Sequence, residues 1–351
     1  MQIPDMQGPV CPMPLKHENQ IVMGHGSGGK MSQELIQRVF QSEFTSDALL
    51  AGNDFAYLSS DGGRLVTSVD AHIVFPLFFP GGDIGKLAIC GTVNDVAVSG
   101  AIPRYITAAF ILEEGLDIAI LKKIVHSMQL TALEAGVEIV AGDTKVVEKG
   151  KADGVFITTT GIGFVPQGRT IHGANAQPGD QILISGNLGD HGIAVLAARG
   201  DLGFETGVQS DAAPLNHMIE QLLQAAPNVH VLRDPTRGGL ATTLNEIAAQ
   251  SNVGMLLDES SMPIQQAVRA ASDMLGFDPL YIANEGKVIV IVPPNEKDAA
   301  LQALRAHPYG KDAALIGEIT SEHPKRVLLK TFIGGTRMLD VMAGEMLPRI
   351  C

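Results

Sequence analysis

Chemistry in this chain must come from few side chains: a cysteine at position 351, a lysine behind a run of glycines, and aspartates beside apolar stretches. Residues 24–30 read GHGSGGK, enough glycine for backbone N–H groups to approach phosphate oxygens. The spacing nearly matches a Walker A loop, but Met31 stands where that loop needs Ser or Thr to hold magnesium. A P-loop ATPase is therefore disfavoured, and the residues leave a phosphate cradle and a plain flexible loop both open. Asp54, Asp70, Asp95, Asp143 and Asp234 each sit at the edge of an apolar segment: GND, TSVD, TVND, AGD and VLRD. Singly, such an aspartate caps a helix or makes a turn. Five of them, with a glycine-rich loop, favour hard oxygen ligands holding Mg2+ against nucleotide phosphates. Lys145 follows Asp143 in GDTKVV, and Glu285 precedes Gly286 and Lys287 in YIANEGKVIV. Beside carboxylates a lysine is a solvated ion pair or, in a dry cleft, a proton acceptor; both readings stand. SGNLGDHG and DPTRGG read as glycine-rich helix openings suited to anions, and His25 and His191 as structural hydrogen-bonders.

The elements that must position these groups alternate along the chain. MSQELIQRVFQSEF puts Leu35, Ile36, Val39 and Phe40 on one helical face. FAYLSS and RLVTSVD read as two strands around a DGG turn. GDIGKLAICGTVNDVAVSG predicts a tightly packed helix, RYITAAFILEE a buried strand, and LDIAILKKIVHSMQLTALEAG an amphipathic helix ended by Gly136. VEIVAGDTKV and GVFITTTGIGFV complete a first block as strands. HGANAQPGDQ is a turn-rich junction. Beyond it come strands QILISG, VHVLRD, VGMLLD, KVIVIVP and ALIGEI, interleaved with five helices, HGIAVLAARG, LNHMIEQLLQAA, LATTLNEIAAQS, PIQQAVRAASDML and EKDAALQALRAH, and a linker rich in Gly, Asp and Ser. Mingled helices and strands without strict βαβ order predict an α+β protein with two mixed α/β domains. The divisions expected are a flexible leader at 1–19, an N-terminal domain at 20–168, a C-terminal domain at 169–333, and a tail at 334–351.

Composition limits the partners. The 351 residues carry a formal net charge of -13, which argues against nucleic acid and anionic membranes. Hydrophobic residues make up 45% and aromatics only 5%, so the cores must be aliphatic. Three scattered cysteines, Cys11, Cys90 and Cys351, make no disulfide framework and suit a reducing, cytoplasmic setting. No apolar run approaches the roughly 18 residues of a membrane span, and the N-terminus does not read as a signal peptide.

Taken in order, HGSGGK, FFPGGDIGKLAICGTVNDVAVSGAIPRY, FILEEG, GDTKVV, LGDHG, RDPTRGG, ANEGK, HPYGKDAALIGEI and the final PRIC carry a resemblance. From about Ile21 onward the chain resembles the HypE family, the carbamoyl dehydratases of nickel–iron hydrogenase maturation. That family belongs to an ATP-using superfamily with the aminoimidazole-ribonucleotide and selenophosphate synthetases. The resemblance implies an N-terminal domain that dimerises through its strands, a C-terminal α+β domain, and ATP with Mg2+ in the dimer cleft. It implies nucleotide contacts from Gly26, Gly28, Gly29, Lys30, Asp70, Asn94, Asp95, Asp143 and Thr144. It also implies Mg2+ ligands at Asp54, Asp70, Asp95 and Asp234, and catalysis by Cys351, Lys145 and Glu285.

The chemistry so implied is an ATP-dependent dehydration of an S-carbamoyl group on Cys351 to a thiocyanate, the source of hydrogenase cyanide. Lys145 is the expected proton acceptor, with Glu285 its partner or relay. HypF is the implied carbamoyl donor and the HypC–HypD complex the implied cyanide acceptor. Residues 344–351 would span about 26 Å when extended, enough for an arm that presents sulfur to another protein. Another synthetase or kinase of the superfamily would share the glycine loop and aspartates but leave Cys351 unexplained. A thiol carrier without catalysis would explain Cys351 but not the aspartates.

Overall fold

A computed structural model describes residues 19–22, 25, 30–46, 50, 63–200, 206–341 and 350, with backbone only at 30, 32 and 33. Residues 1–18 of the leader, Gly26, Gly28, Gly29, Asp54, the expected strand FAYLSS and Cys351 lie outside these residues.

Helix α1 (Lys30–Leu35) runs into a π-helical turn, Ile36–Phe40, closed by the Gln41 N–H on the Ile36 carbonyl. The wider turn buries Leu35, Val39 and Phe40 but leaves Ile36 exposed, contrary to the regular helical face expected. The first sheet is built from β1 (Arg64–His72), β4 (Ile102–Glu113), β5 (Glu138–Val147) and β6 (Val155–Val165). Two short strands, β2 (Phe78–Phe79) and β3 (Gly82–Asp83), form a separate hairpin. The order across the sheet is β1-β6-β4-β5, with β6 antiparallel to both neighbours and β4 parallel to β5. Parallel pairing requires a crossover, and helix α3 (Ile118–Ala135) supplies it. Its ends are set locally: the Asp117 carboxylate accepts the Ala119 N–H at 2.7 Å, and Gly136 takes the left-handed conformation at φ 68°.

Helix α2 (Ile84–Val98) begins at Asp83, whose carboxylate accepts the Gly85 N–H at 2.7 Å. It is apolar nearly all round because it is covered on several sides. It packs against β1, β6 and α3 and also against the second half of the chain. Only one face of the first sheet is covered this way. On the other, Leu65 and Val69 of β1 are 64% and 67% exposed, and Ile111 of β4 is also exposed.

The second half contains β7 (Gln181–Ile184), α4 (Asp190–Ala198), α5 (Asn216–Ala225), β8 (Val231–Arg233), α6 (Gly239–Ser251) and β9 (Gly254–Asp258). It continues with α7 (Gln266–Leu275), β10 (Ile289–Val292), α8 (Lys297–Ala306), β11 (Ala314–Thr320), β12 (Val327–Lys330) and β13 (Thr336–Leu339). Seven strands pair in the order β13-β12-β9-β11-β7-β10-β8, antiparallel throughout except β9 with β12. β10 is buried on both faces, which accounts for its unbroken IVIV. The fold is α+β. The stretch read as a linker is partly interior: Val208, Ser210, Ala212 and Ala213 are buried. β13 likewise lies in the sheet although it falls within the stretch expected to be tail. One core joins the halves, running from Leu87 and Ile157 to Ile193, Val208, Ile282 and Ile350. No helix among the described residues is long and apolar enough to cross a membrane.

Candidate active site

The acidic residues are delivered by three elements. Asp70 lies near the end of β1, Asp95 inside α2, and Asp234 just past β8. Asp95 is helical, as the reading of GDIGKLAICGTVNDVAVSG as a packed helix predicts. Helix α2 comes this close to β1 because residue 91 is glycine. A Cβ there would stand 2.9 Å from Asp70 Oδ2 and 3.1 Å from the His72 ring. Ser68 Oγ donates to Asp95 Oδ2 at 2.7 Å. Burial, with the negative charge of Asp70 added, raises the Asp95 carboxyl above its ordinary range. Burial and then the Asp95 charge push Asp234 up to about 7. His72 Nε2 lies 3.7 Å from Asp70 Oδ2, but burial lowers the ring's pKa and favours the neutral form.

A second group comes from the loop ahead of β10 and from the segment before α5. Lys287 is buried and its Nζ lies 3.0 Å from Asp211 Oδ2. The other Asp211 oxygen accepts the Glu285 backbone N–H at 3.0 Å. Burial opposes ionisation of Asp211, yet Lys287 and that N–H outweigh it and hold the carboxyl low. Residue 286 must be glycine here, because a Cβ would meet the Asp211 carbonyl oxygen at 1.8 Å. Glu285 is buried with Oε1 lacking a hydrogen-bond partner. Burial first, then Asp211, Asp70, Asp234 and Asp95, raise its pKa well above the ordinary value. The carboxylates of the first group thus act on Glu285 as well, and the two groups form one electrostatic site. Asp190, at the start of α4, is pushed to about 6 by burial and by Asp211. An acidic residue at that helix start works against the anion contact expected of SGNLGDHG.

Asn94 joins the halves. Its Nδ2 donates to the carbonyls of Ala213 at 3.0 Å and Glu285 at 3.3 Å, and its Oδ1 accepts the Leu215 N–H at 2.7 Å. Both donors and the acceptor of the amide are committed to backbone.

Asp143, Thr144 and Lys145 stand apart from this cluster, in the interior of edge strand β5. Lys145 Nζ lies 3.3 Å from Asp143 Oδ2, and the two side chains are 69% and 65% exposed. The Thr144 N–H donates to Asp143 Oδ1 at 2.8 Å. The structure does not bring Lys145 to Glu285 within one chain. Among the described residues no three metal-ligating side chains converge on one point. Asp70, Asp95 and Asp234 nevertheless accumulate unneutralised charge, which suits a cation bridged by phosphates.

Sequence reasoning passed over Asp211 and Ser210, which lie in the stretch read as a linker. One signal pointed toward them. Lys287 stands directly before a strand whose burial is complete, and a lysine there needs a buried acid. Cys351 lies outside the described residues, but Ile350 is seated in the interior. It forms an antiparallel bridge with Val74, and its carbonyl lies 2.7 Å from His191 Nε2.

Comparison with known proteins agrees with this architecture. The family model for the N-terminal domain of AIR synthase related proteins matches residues 52–165, and that for the C-terminal domain matches residues 177–330. The carbamoyl dehydratase HypE of Cupriavidus necator is 55% identical over 333 residues, covering 95% of each chain. A crystal structure of the hydrogenase maturation protein HypE in complex with ATP superposes with a TM-score of 0.91 at 49% identity. The match covers 94% of this chain and 99% of that one. The structure of a HypE–HypF complex matches with a TM-score of 0.77 at 49% identity, covering 88% and 99%. The chain belongs to the HypE family of carbamoyl dehydratases, within the AIR synthase related proteins.

Proposed function

We propose that this chain converts an S-carbamoyl group on its own Cys351 into a thiocyanate at the expense of ATP. The balance is Cys–S–C(=O)–NH2 plus ATP giving Cys–S–C≡N, ADP, phosphate and a proton. ATP phosphorylates the carbamoyl oxygen, turning an oxide that cannot leave into phosphate, and loss of the nitrogen protons expels it. The observation that carries this reading is the interior seat of Ile350, the residue bonded to Cys351. Its carbonyl rests on His191, whose other nitrogen meets Ser210, the neighbour in sequence of Asp211; Asp211 in turn binds Glu285.

Asp54, Asp70, Asp95 and Asp234 would hold magnesium, which when bound neutralises charge on the nucleotide phosphates. Gly26, Gly28, Gly29 and Lys30 would contact the phosphates, with Asp143 and Thr144 at the nucleotide. Lys145 takes the first proton from nitrogen. Glu285, whose raised pKa favours its neutral acid form in the chain alone, relays the next. The uncovered face of the first sheet is where a second copy packs, and it carries the nucleotide half, 20–168, into a dimer cleft with 169–333. HypF supplies the carbamoyl group, the HypC–HypD complex takes the cyanide, and the work is cytoplasmic.

Intact-mass analysis of the protein with HypF, carbamoyl phosphate and ATP tests this. A carbamoyl adduct should form on Cys351 and then lose one water only when ATP is present, and Cys351→Ala should form none. An adduct that never loses water would reduce the chain to a thiol carrier. Thiocyanate formed at an undiminished rate by Lys145→Ala would remove Lys145 from the proton transfer.

A further inference from the structure

Lys287 and Asp211 form an ion pair inside the protein, and the proposed chemistry gives neither of them a task. Their side chains are 9% and 3% exposed, with Lys287 Nζ 3.0 Å from Asp211 Oδ2. Taking two charges out of water is costly, and a well-packed apolar pair of similar volume is commonly at least as stable. Stability alone therefore does not account for the pair.

Its contacts lead to Glu285. Asp211 Oδ1 accepts the Glu285 N–H at 3.0 Å, and Asn94 Nδ2 donates to the Glu285 carbonyl at 3.3 Å, so both backbone groups are held. The neighbours are fixed as well. The buried Asn284 side chain accepts the Gly189 N–H at 2.8 Å and donates to the Pro235 carbonyl at 2.9 Å. Gly286 lies against the Asp211 backbone, too close for any Cβ. Lys287 Nζ also donates to the Gly286 carbonyl at 3.2 Å, so one ammonium ties this loop to the segment before α5. The Val288 N–H donates to Ser185 Oγ at 2.9 Å and leads into β10. The backbone is thus held from Asn284 to Val288, while Glu285 Oε1 has no hydrogen-bond partner. Asp211 lies among groups of its own sign, since its charge acts on both Asp190 and Glu285. Without Lys287 it would be an unpaired charge in the interior, and would take up a proton or turn from the Glu285 N–H.

We propose that Asp211, kept in place by Lys287, is the positioning residue for Glu285. It fixes the backbone from which the Glu285 carboxyl acts and touches no reacting atom. The inference rests on the reading of Glu285 as a relay in the dehydration. A loosened loop misplaces that one carboxyl, so it slows loss of water and spares carbamoylation and ATP binding.

Two charge-free versions of the pair test this in the full-length protein. Lys287→Met with Asp211→Asn keeps an oxygen for the Glu285 N–H, and Lys287→Met with Asp211→Leu removes it. Neither strands a buried charge, so both should fold, and thermal melting followed by circular dichroism checks this. The measurements are the carbamoylation rate, single-turnover loss of water, the ATP concentration at half-maximal rate, and hydrogen exchange at the Glu285 amide. With Asp211→Leu in the pair, water loss should fall about hundredfold, the cost of a reacting group displaced by about 1 Å. Carbamoylation and the half-maximal ATP concentration should stay within about threefold of wild type. The Glu285 amide should exchange at least about tenfold faster. With Asp211→Asn in the pair, water loss should return to within about tenfold of wild type and exchange to within about threefold. Lys287→Met alone, which strands the Asp211 charge, should slow water loss by about tenfold or more, and adding Asp211→Asn should reverse this. Equal water loss in the two pairs, or equal exchange, overturns the proposal. So does a slowing of carbamoylation and a weakening of ATP use in step with water loss, which is general damage. Should the wild type form no thiocyanate, the dehydratase reading fails, and exchange at the Glu285 amide alone decides whether Asp211 fixes that residue.

Discussion

Replacing Asn94 by alanine separates two roles that its position allows. In the structure the side chain is 2% exposed and makes three hydrogen bonds to the backbone of the second half. Alanine leaves the carbonyls of Ala213 and Glu285 and the N–H of Leu215 without that partner, in a place water does not readily reach. At about 1 kcal/mol for each net hydrogen bond, the loss comes to about 3 kcal/mol. With a urea slope of about 3 kcal/mol per molar, the unfolding midpoint should fall by about 1 M. Far-UV circular dichroism in urea measures the midpoint, and titration calorimetry on the folded variant measures ATP affinity. The clamp reading expects the midpoint to drop while affinity stays within about threefold, and Asn94→Asp to be more destabilising at pH 8 than at pH 5. An unchanged midpoint with a tenfold or greater loss of affinity would refute it and make Asn94 a nucleotide contact.

Two further changes probe the acidic cluster and the bare sheet face. Asp234 titrates near 7 in the fold against about 3.9 in an unfolded chain, so the folded state keeps a proton the unfolded chain has lost. Stability therefore falls as pH rises from about 4 to 7. Asp234→Asn should unfold at a higher temperature than wild type at pH 8, the two converging near pH 4; a gap independent of pH would contradict this. Leu65→Glu combined with Val69→Glu alters only exposed positions of β1 and should leave the secondary structure intact while converting a dimer to a monomer. Sedimentation velocity reads the outcome, and a wild-type monomer would end the dimer proposal.

Local signals carried much of the fold. Gly136 ends α3 in sequence and structure alike, and the apolar run KVIVIVP marks the interior strand β10. Three things depended on contacts far along the chain. Ile36 turned outward because a π-turn shifts the phase of its helix, which periodicity alone does not encode. Lys145 and Glu285 are both visible as candidates, yet they fall on separate elements without contact, since a strand's face is set by pairing and not by composition. Asp211 was hidden because Gly, Asp and Ser read as a solvated connection until Lys287 and the Glu285 N–H close on it. Asn94 was expected only as a nucleotide contact implied by the resemblance; its three partners, at Ala213, Leu215 and Glu285, appear only once the halves meet.

The pairing of β1 also governs how the chain can be made. Among the described strands β1 pairs only with β6, Arg64 opposite Val165 and His72 opposite Ile157. The separations are 165 − 64 = 101 and 157 − 72 = 85 residues. At about 5–20 residues per second, a ribosome takes about 5–20 s to deliver β6 after β1 has been synthesised. Throughout that interval a strand carrying Leu65, Val66 and Val69 waits for the one partner it has among the described strands. Synthesis speed and chaperone supply, and not only final stability, should therefore set the yield of active protein in a cell.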